Sequence, residues 1–269
     1  MIRLHILGAG GAVPTATHGP AAYWIEVDGH GVLVDPGPGA LVRLVRQPGA
    51  PDDVDAIDTV LLTHLHLDHT ADLAPLLFAL HSVLARNTAP LGLVGPPGLA
   101  GLLARLGDVY GDWLTPRCRE VIVTEVTAGG VTALPGGGRA IAFAANHQES
   151  RFGGVCLGWR FVDAGGRALV YSGDTGPSAD LERAAAGADA LLVECSTPDD
   201  LAVDGHLSPG RVADLAGRAR PRRVILTHLY PPVVAGDPAG AVQRATGIPC
   251  HLARDGDVIT LGPEPETPC

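Results

Sequence analysis

The chain has 269 residues, 46% of them hydrophobic, and a net charge of −10 at pH 7. This length and apolar content allow a large buried core, and the acidic balance argues against a protein that binds long nucleic acids through a basic surface. The five cysteines are far apart and form no C-x-x-C pair, which favours reduced thiols and a cytoplasmic location over a disulfide framework. We find no signal-peptide pattern and no apolar run of membrane-spanning length, so no membrane partner is expected.

Strands dominate the predicted elements of the first half. Apolar residues bounded by Gly, Pro and Asp predict strands in IRLHILGAG and AYWIEVDGHGVLV, with DGHG as a hairpin turn. Helices are predicted in GALVRLVRQ, ADLAPLLFALHSV and PPGLAGLLARLGDVYGDWL, with a buried strand at 60–63 between the first two. The apolar face of the second helix would comprise Leu73, Leu76, Leu77, Leu80 and Val83. The segment from REVIV to AANH returns to strands.

The second half alternates strands and helices. RALVYSG, ADALLVECS and RRVILTH predict strands, and SADLERAAAG, SPGRVADLAGRARP and DPAGAVQRATG predict helices. Ser208 and Pro209 stand at the N-cap and the first position of the middle helix. No linker is long or polar enough to separate two domains, so we expect a single domain over residues 1–269.

The stretch VLLTHLHLDHT (60–70) carries four metal-ligand side chains directly after a predicted buried strand: His64, His66, Asp68 and His69. His-x-His places two imidazoles on the same side of an extended chain. Asp68 and His69 fall at the turn into the next helix, from where they can point to an adjacent position. Imidazole together with carboxylate suits zinc, manganese or iron, so this spacing favours a metal site.

Three further candidate ligands also follow apolar strands. His147 comes after AIAFAAN, Asp174 ends LVYSGD, and His228 ends VILTH, which echoes VLLTH at 60–64. Strand ends at one edge of an α/β sandwich form the usual site, so we expect these residues to complete the metal shells. His30, in a predicted turn, and His81, late in a helix, are expected to lie elsewhere.

Other residues near these motifs are expected to support the site. GAGGAV lacks the third glycine of a dinucleotide-binding loop and is followed by Pro14, which favours a glycine-rich turn where backbone approaches the site. Asp35 is expected to order a ligand loop without binding metal itself. Asp72 is expected either on the surface of a helix or, like Asp35, in a position that supports the ligands without binding metal.

The order H-x-H-x-D-H, then His, then Asp in SGDT, then a final His resembles the metallo-β-lactamase superfamily. Within that superfamily, ILGAGGAVP and LLVECST…GHLSP…VILTHL resemble the tRNase Z-like and phosphodiesterase branch. The resemblance implies a four-layer αββα sandwich with two mixed sheets between outer helices. It implies two divalent metal ions, with zinc expected and manganese or iron as alternatives. The implied ligands are His64, His66 and His147 for one ion, Asp68, His69 and His228 for the other, and Asp174 as a bridge.

The reaction is indicated by residues beyond these shells. The resemblance assigns His206, in DGHLSP, a role in proton donation or phosphate contact, helped by Glu194. General-acid help to a departing alkoxide is what phosphodiester hydrolysis requires. Asp68 is a further catalytic candidate, because its negative charge helps to retain two dications. Cations roughly 3.5–4 Å apart can hold a hydroxide between them and lower its pKa. The alternative for His206 is a surface histidine at a helix start.

The interval from His147 to Asp174 departs from tRNase Z proper, which resembles this chain but carries a long tRNA-binding arm there. Here the interval is only 27 positions, and RFGGVCLGWRFVDAGGRALVYSG reads as a hairpin. We therefore expect a phosphodiesterase that acts on small-molecule esters such as cyclic nucleotides, through a metal-bridging hydroxide, and not on long nucleic acids. The alternatives are an arylsulfatase or lactonase on the same scaffold, an RNA 3′-processing nuclease and, least favoured, a metal-binding protein without turnover. A homodimer is left open.

Overall fold

The computed structural model describes residues 1–148 and 154–262. The strands in chain order are β1 (Ile2–Gly8), β2 (Ala22–Val27), β3 (His30–Val34), β4 (Thr59–Leu61), β5 (Leu91–Gly95), β6 (Val121–Glu125), β7 (Val131–Ala133), β8 (Arg139–Ala144), β9 (Leu157–Val162), β10 (Ala168–Tyr171), β11 (Ala190–Glu194), β12 (Val224–Thr227), β13 (Cys250–Leu252) and β14 (Val258–Leu261). The helices are α1 (Ala40–Leu44), α2 (Leu67–Thr70), α3 (Leu73–His81), α4 (Leu99–Tyr110), α5 (Ala179–Ala185), α6 (Pro209–Ala219), α7 (Pro231–Val234) and α8 (Pro238–Thr246).

The strands form two mixed sheets. The order in the first is β14-β1-β2-β3-β4-β5-β6, and in the second it is β13-β12-β11-β10-β9-β8-β7. Strands β3 to β6 are parallel in the first sheet, as are β10 to β13 in the second. The other neighbours pair antiparallel, so β8 runs in the same direction as β10. The carboxyl ends of β3 and β4 therefore share one edge of the first sheet, and those of β8, β10, β11 and β12 share one edge of the second.

Apolar side chains from the inner faces of both sheets form the central core. The buried cluster includes Leu4 and Ile25 of the first sheet and Trp159 and Phe161 of the second. The indole N–H of Trp159, which has no exposed surface, donates a hydrogen bond to the carbonyl oxygen of Leu62 (3.1 Å). This bond connects the second sheet to the chain directly after β4, where the H-x-H-x-D-H motif begins.

Helices cover the outer face of each sheet. Leu44 of α1, Leu76 of α3 and Leu99 of α4 pack with strand residues of the first sheet in one buried cluster. Leu181 of α5 and Val212 of α6 do the same on the second sheet. The predicted four-layer αββα sandwich is therefore confirmed. Within the described ranges, no helix is both long and apolar enough to cross a membrane.

The structure corrects several predicted elements. Helix α3 ends at His81, and Val83, predicted on its apolar face, is 65% exposed because Ser82 adopts extended backbone (φ −60°, ψ 148°). His30 begins β3 and does not lie in the turn. Strands β5, β13 and β14 were not predicted, since β5 contains two glycines and the other two are only three and four residues long.

The hairpin predicted before Asp174 is formed by β9 and β10, which pair antiparallel. Residues 151–153 of the predicted segment lie outside the described residues. Cys118, Cys195 and Cys250 carry free thiols, which agrees with the prediction of reduced cysteines. Cys269 also lies outside the described residues.

Replacing Trp159 with Phe tests the contact between the sheets. The change leaves the buried Leu62 carbonyl without its donor, so we expect the free energy of unfolding to fall by about 1–3 kcal/mol. Trp113→Phe is the matched control, because Trp113 is 61% exposed and surface changes usually stay within about 0.5 kcal/mol. Urea unfolding at equal metal content measures both variants. Equal losses would contradict the role given to the Trp159 bond.

Candidate metal centre

The predicted ligands lie at the carboxyl ends of strands from both sheets. His64 follows β4 of the first sheet, whereas His147, Asp174 and His228 follow β8, β10 and β12 of the second. Contacts between these side chains, described below, show that the two sheet edges face each other. The packing of the sheets thus brings together residues that are up to 164 positions apart in the sequence.

One group of ligand atoms centres on His66. Its Nδ1 lies 3.0 Å from Nε2 of His64 and 3.3 Å from Nε2 of His147. Together with a carboxylate oxygen of Asp174, these nitrogens all lie within 4.8 Å of one another. Such spacings suit ligands around a tetrahedral ion with metal–nitrogen bonds of about 2.0–2.1 Å. This group could hold one metal ion.

A second group comprises Asp68, His69 and His228, whose ligand atoms also lie within 4.8 Å of one another. Nε2 of His228 is 3.4 Å, and Nε2 of His69 is 3.7 Å, from Oδ2 of Asp68. Asp174 borders both groups. Its Oδ1 is 3.4 Å from Nε2 of His69, and its Oδ2 is 3.3 Å from Nε2 of His228 and 3.8 Å from Nε2 of His64.

Protein acceptors hold the other ring nitrogen of most of these histidines. The contacts from Nδ1 are His64 to Thr63 Oγ1 (3.0 Å), His69 to Asp35 Oδ2 (2.9 Å), His147 to the Gly205 carbonyl oxygen (2.9 Å) and His228 to Ser196 Oγ (3.0 Å). A neutral imidazole that donates from Nδ1 keeps a lone pair on Nε2. These four rings therefore present Nε2 to the other ligand side chains at the facing sheet edges.

Two buried atoms test whether the centre fits a metal. Nε2 of His69 and Oδ1 of Asp174 lack a hydrogen-bond partner among the described residues, although they lie 3.4 Å apart. Buried polar atoms normally have a partner, because leaving them without one is costly. A divalent cation would satisfy the lone pairs of both atoms, so the residues present fit divalent metal binding.

The electrostatics give two of the ligands, Asp174 and His64, the protonation states that bind metal. Burial raises the pKa of Asp174, but the neighbouring His228 and His69 imidazoles outweigh this and hold it well below its ordinary value. Burial, with a further contribution from His69, lowers the pKa of His64 well below its ordinary value. Asp174 is therefore ionised and His64 neutral, and metal ligands must be in these states. His69 differs: burial lowers its pKa, but the carboxylates of Asp174 and Asp35 outweigh burial and hold the pKa well above its ordinary value, so metal binding there would displace a proton.

Asp35 supports the ligand loop from beneath. Its Oδ1 accepts the Thr63 backbone N–H (2.8 Å), and its Oδ2 accepts the Thr63 hydroxyl (2.6 Å), the Tyr171 hydroxyl (2.8 Å) and the Nδ1 hydrogen of His69. Asp35 and His228 are both non-glycine residues with left-handed backbone, at φ 47° and 53°. Such strain costs about 1–3 kcal/mol per residue and clusters at functional sites.

Glu194 and His206 form a pair beside the centre. Oε1 of the fully buried Glu194 lies 2.9 Å from Nδ1 of His206 and accepts the Thr175 backbone N–H (2.6 Å). The His206 ring lies 4.9 Å from the His147 ring and 5.9 Å from the His228 ring, nearly parallel to the latter. Burial lowers the pKa of His206, but the hydrogen bond and charge of Glu194 outweigh it, so the pKa is raised overall.

His206 also belongs to a third group of ligand atoms. With Asp174 and His228 it places three atoms within 4.8 Å of one another. This ring could therefore hold either a proton or a metal ion, and the two roles are separated by experiment below. Ser196 connects the pair to the centre, because its hydroxyl donates to Oε2 of Glu194 (2.6 Å) and contacts Nδ1 of His228.

Some residues considered from the sequence lie away from the ligand atoms. Asp72 accepts the backbone N–H groups of Gly39 and Leu41 and so stabilises the start of α1. His30 contacts Thr59, and His81 contacts the carbonyl oxygen of Thr115.

Supporting contacts of Thr63, Tyr171 and Ser196 were missed in the sequence. The echo of VLLTH and VILTH contained a signal for one of them, since the threonine before each histidine is repeated. Thr63 contacts Asp35, and Thr227 lies 2.7 Å from the Tyr23 hydroxyl.

Comparison with known proteins agrees with the family that the sequence resembles. The family described as Beta-lactamase superfamily domain matches residues 30–229. A ribonuclease Z of Mycobacterium sp. (strain KMS) is 31% identical over 278 residues, which covers 96% of this chain and 95% of the relative.

Solved structures are similar in fold over nearly the whole chain. The metallo-β-lactamase fold protein YhfI from Bacillus subtilis superposes with a TM-score of 0.80 at 22% identity, covering 96% of this chain and 98% of the other. Human tRNase Z, short form, gives a TM-score of 0.75 at 24% identity, covering 97% and 99%.

Replacing Asp35 with Asn tests the support of the ligand loop. The Asn amide group would point an N–H donor at Thr63 or His69, and both of these residues are themselves donors to Asp35. One of them would therefore lose its hydrogen-bond acceptor. We expect the affinity for zinc to fall about 10- to 100-fold, measured by competition with a chromophoric chelator. Asp72→Asn is the control, because it removes a buried carboxylate that touches no candidate ligand. Unchanged zinc affinity in Asp35→Asn would contradict this role.

Proposed function

The chain belongs to the β-lactamase superfamily, in the ribonuclease Z-like branch of its metal-dependent hydrolases, and we propose that it cleaves phosphodiesters at a dinuclear centre. The observation that carries the proposal is the position of Asp174, which borders two groups of ligand atoms beside the Glu194–His206 pair. An anionic substrate needs concentrated positive charge, and a nearby proton donor suits a leaving alkoxide.

We assign two divalent ions to this centre, with zinc as the expected metal. His64, His66 and His147 would hold one ion, Asp68, His69 and His228 would hold the other, and Asp174 would contribute to both. Bound there, the ions supply charge that polarises the phosphoryl group and acidifies the attacking water. Two carboxylates among neutral imidazoles balance only part of this charge, so the site retains attraction for an anionic diester.

His206 is assigned the proton transfer to the leaving oxygen. Glu194 accepts from Nδ1, which leaves the Nε2 hydrogen of the ring available to the substrate. The hydrogen bond and charge of Glu194 outweigh burial and raise the pKa of His206, which favours the protonated ring. Glu194 cannot turn away easily, because its two oxygens also accept the backbone N–H groups of Thr175 and Leu207.

Small diesters are the substrate class that we favour. The loop at 196–206, which contributes His206, carries exposed acidic residues at Asp199, Asp200 and Asp204 and contains no lysine or arginine. The one arginine that hydrogen-bonds to this loop within the described residues, Arg211, donates to the carbonyl oxygens of Val203 and His206. A long RNA would meet repulsion there, since its phosphates are bound through basic groups. Within the described residues between His147 and Asp174, β9 and β10 form a short hairpin instead of a long arm. Its turn is closed by a hydrogen bond from the Asp163 N–H to the Arg167 carbonyl oxygen (3.0 Å).

RNA 3′ processing is the second candidate. It is favoured by the relative from Mycobacterium, which is called ribonuclease Z and matches this chain along nearly its whole length. The proposed centre and proton donor serve either substrate, because both reactions break a phosphodiester. The candidates differ in what surrounds the scissile bond.

A substrate panel tests the proposal. Zinc- or manganese-loaded protein is expected to hydrolyse bis(p-nitrophenyl) phosphate and cyclic nucleotides, with little cleavage of a precursor tRNA that carries a 3′ trailer. Efficient and accurate trailer removal would favour the second candidate. Turnover of lactones or aryl sulfates, without any phosphodiester activity, would refute the proposed reaction.

Two alanine variants separate ligand from proton donor. Asp174→Ala is expected to lose both bound metal and activity, because it removes the carboxylate shared by the two groups. His206→Ala is expected to keep its metal and lose about 100- to 10,000-fold in rate, most for substrates with poor leaving groups. Metal analysis after gel filtration and a leaving-group series measure these effects. Loss of metal in His206→Ala would instead make His206 a ligand.

A further inference from the structure

The glycine-rich loop after β1 lies beside the loop that follows β12. The backbone N–H of Gly11 donates to the carbonyl oxygen of Leu229 (3.3 Å), and Gly10 and Leu229 form a parallel bridge. The GAGG segment is thereby held against the chain that carries His228. This loop has no part in the reaction as described so far.

Gly11 allows an unusually close approach of two rings. A Cβ atom at this position would lie 2.5 Å from Cε2 and 2.7 Å from Cζ of Tyr230, and 3.1 Å from Cε1 of His228. A larger residue at this position would therefore displace the Tyr230 ring. The same distances show that the phenol end of Tyr230 neighbours Cε1 of His228, the carbon between its two ring nitrogens.

The hydroxyl group of Tyr230 accepts one hydrogen bond and has its own hydrogen left to donate. Its oxygen accepts the backbone N–H of Ala12 (3.3 Å), and no acceptor for the hydroxyl hydrogen occurs among the described residues. The ring meets His228 at 5.7 Å between centroids and 73° between planes, and the residue is half-buried. A phenol is neutral at pH 7 and can donate to an anionic oxygen.

We propose that Tyr230 contacts the substrate, donating a hydrogen bond to a phosphoryl oxygen on the His228 side of the centre, with Gly11 making room for its ring. This inference rests on the proposed phosphodiesterase function and adds a substrate-binding residue to it. Tyr230 and His206 both touch the His228 ring, one nearly perpendicular and the other nearly parallel to it. They act on different atoms, because Tyr230 binds a phosphoryl oxygen and His206 serves the leaving oxygen.

Tyr230→Phe is the direct test, because it removes only the hydroxyl. A hydrogen bond to a charged oxygen implies a loss of about 10- to 100-fold in kcat/KM for phosphodiesters. The loss should be the same for good and poor leaving groups, unlike that of His206→Ala, and zinc content should stay at the wild-type level. Tyr110→Phe is the matched control, since Tyr110 is half-exposed at the end of α4.

A binding measurement keeps the test independent of turnover. Calorimetry with inorganic phosphate and the zinc-loaded proteins should give about tenfold weaker binding for Tyr230→Phe and unchanged binding for Tyr110→Phe. If Tyr230 only fastens the loop through Ala12, thermal stability falls while phosphate affinity and kcat/KM remain those of the wild type, which overturns the proposal. If the wild type cleaves no diester, the proposed function fails, and phosphate binding still decides whether Tyr230 contacts a phosphoryl group.

Discussion

The buried carboxylate of Asp174 is the constraint on which the rest of the site depends. It emerges from the second sheet, lies against His69 and His64 of the first sheet and His228 of the second, and is only 4% exposed. A buried charge at such a position costs several kcal/mol unless it is compensated. Here the His228 and His69 imidazoles outweigh the effect of burial and hold the pKa of Asp174 well below its ordinary value. The packing of the two sheets thus keeps an ionised carboxylate between two groups of ligand atoms, where it could serve a divalent ion in either group.

Hydrogen bonds beneath the ligands carry this arrangement into both sheets. Asp35 contacts Thr63 and His69 in the first sheet and receives the hydroxyl of Tyr171 from the second. The Tyr23 hydroxyl of the first sheet lies 2.7 Å from the hydroxyl of Thr227, next to His228. Each half of the centre is thus oriented partly by residues of the opposite sheet. This explains how loops at strand ends can hold ring nitrogens at fixed separations.

Much of this was accessible from the sequence, for a physical reason. Imidazoles and carboxylates placed directly after apolar strands are local patterns, and parallel strands align their carboxyl ends, so the proximity of these side chains could be predicted. The four-layer sandwich was implied by the resemblance to the metallo-β-lactamase superfamily. Contacts that depend on packing could not be predicted. Tyr171 and Asp35 are 136 positions apart, and no local pattern marks them as partners. The end of α3 was misjudged because the apolar periodicity continues to Val83 after the backbone has become extended at Ser82.

We propose that two metal ions share the carboxylate of Asp174. Anomalous diffraction from crystals of the zinc-loaded protein, recorded on both sides of the zinc absorption edge, measures this directly. We expect two anomalous peaks, one among His64, His66 and His147 and one among Asp68, His69 and His228, each in contact with Asp174. A single peak, or a peak bound by His206 in place of either set, would contradict the proposal.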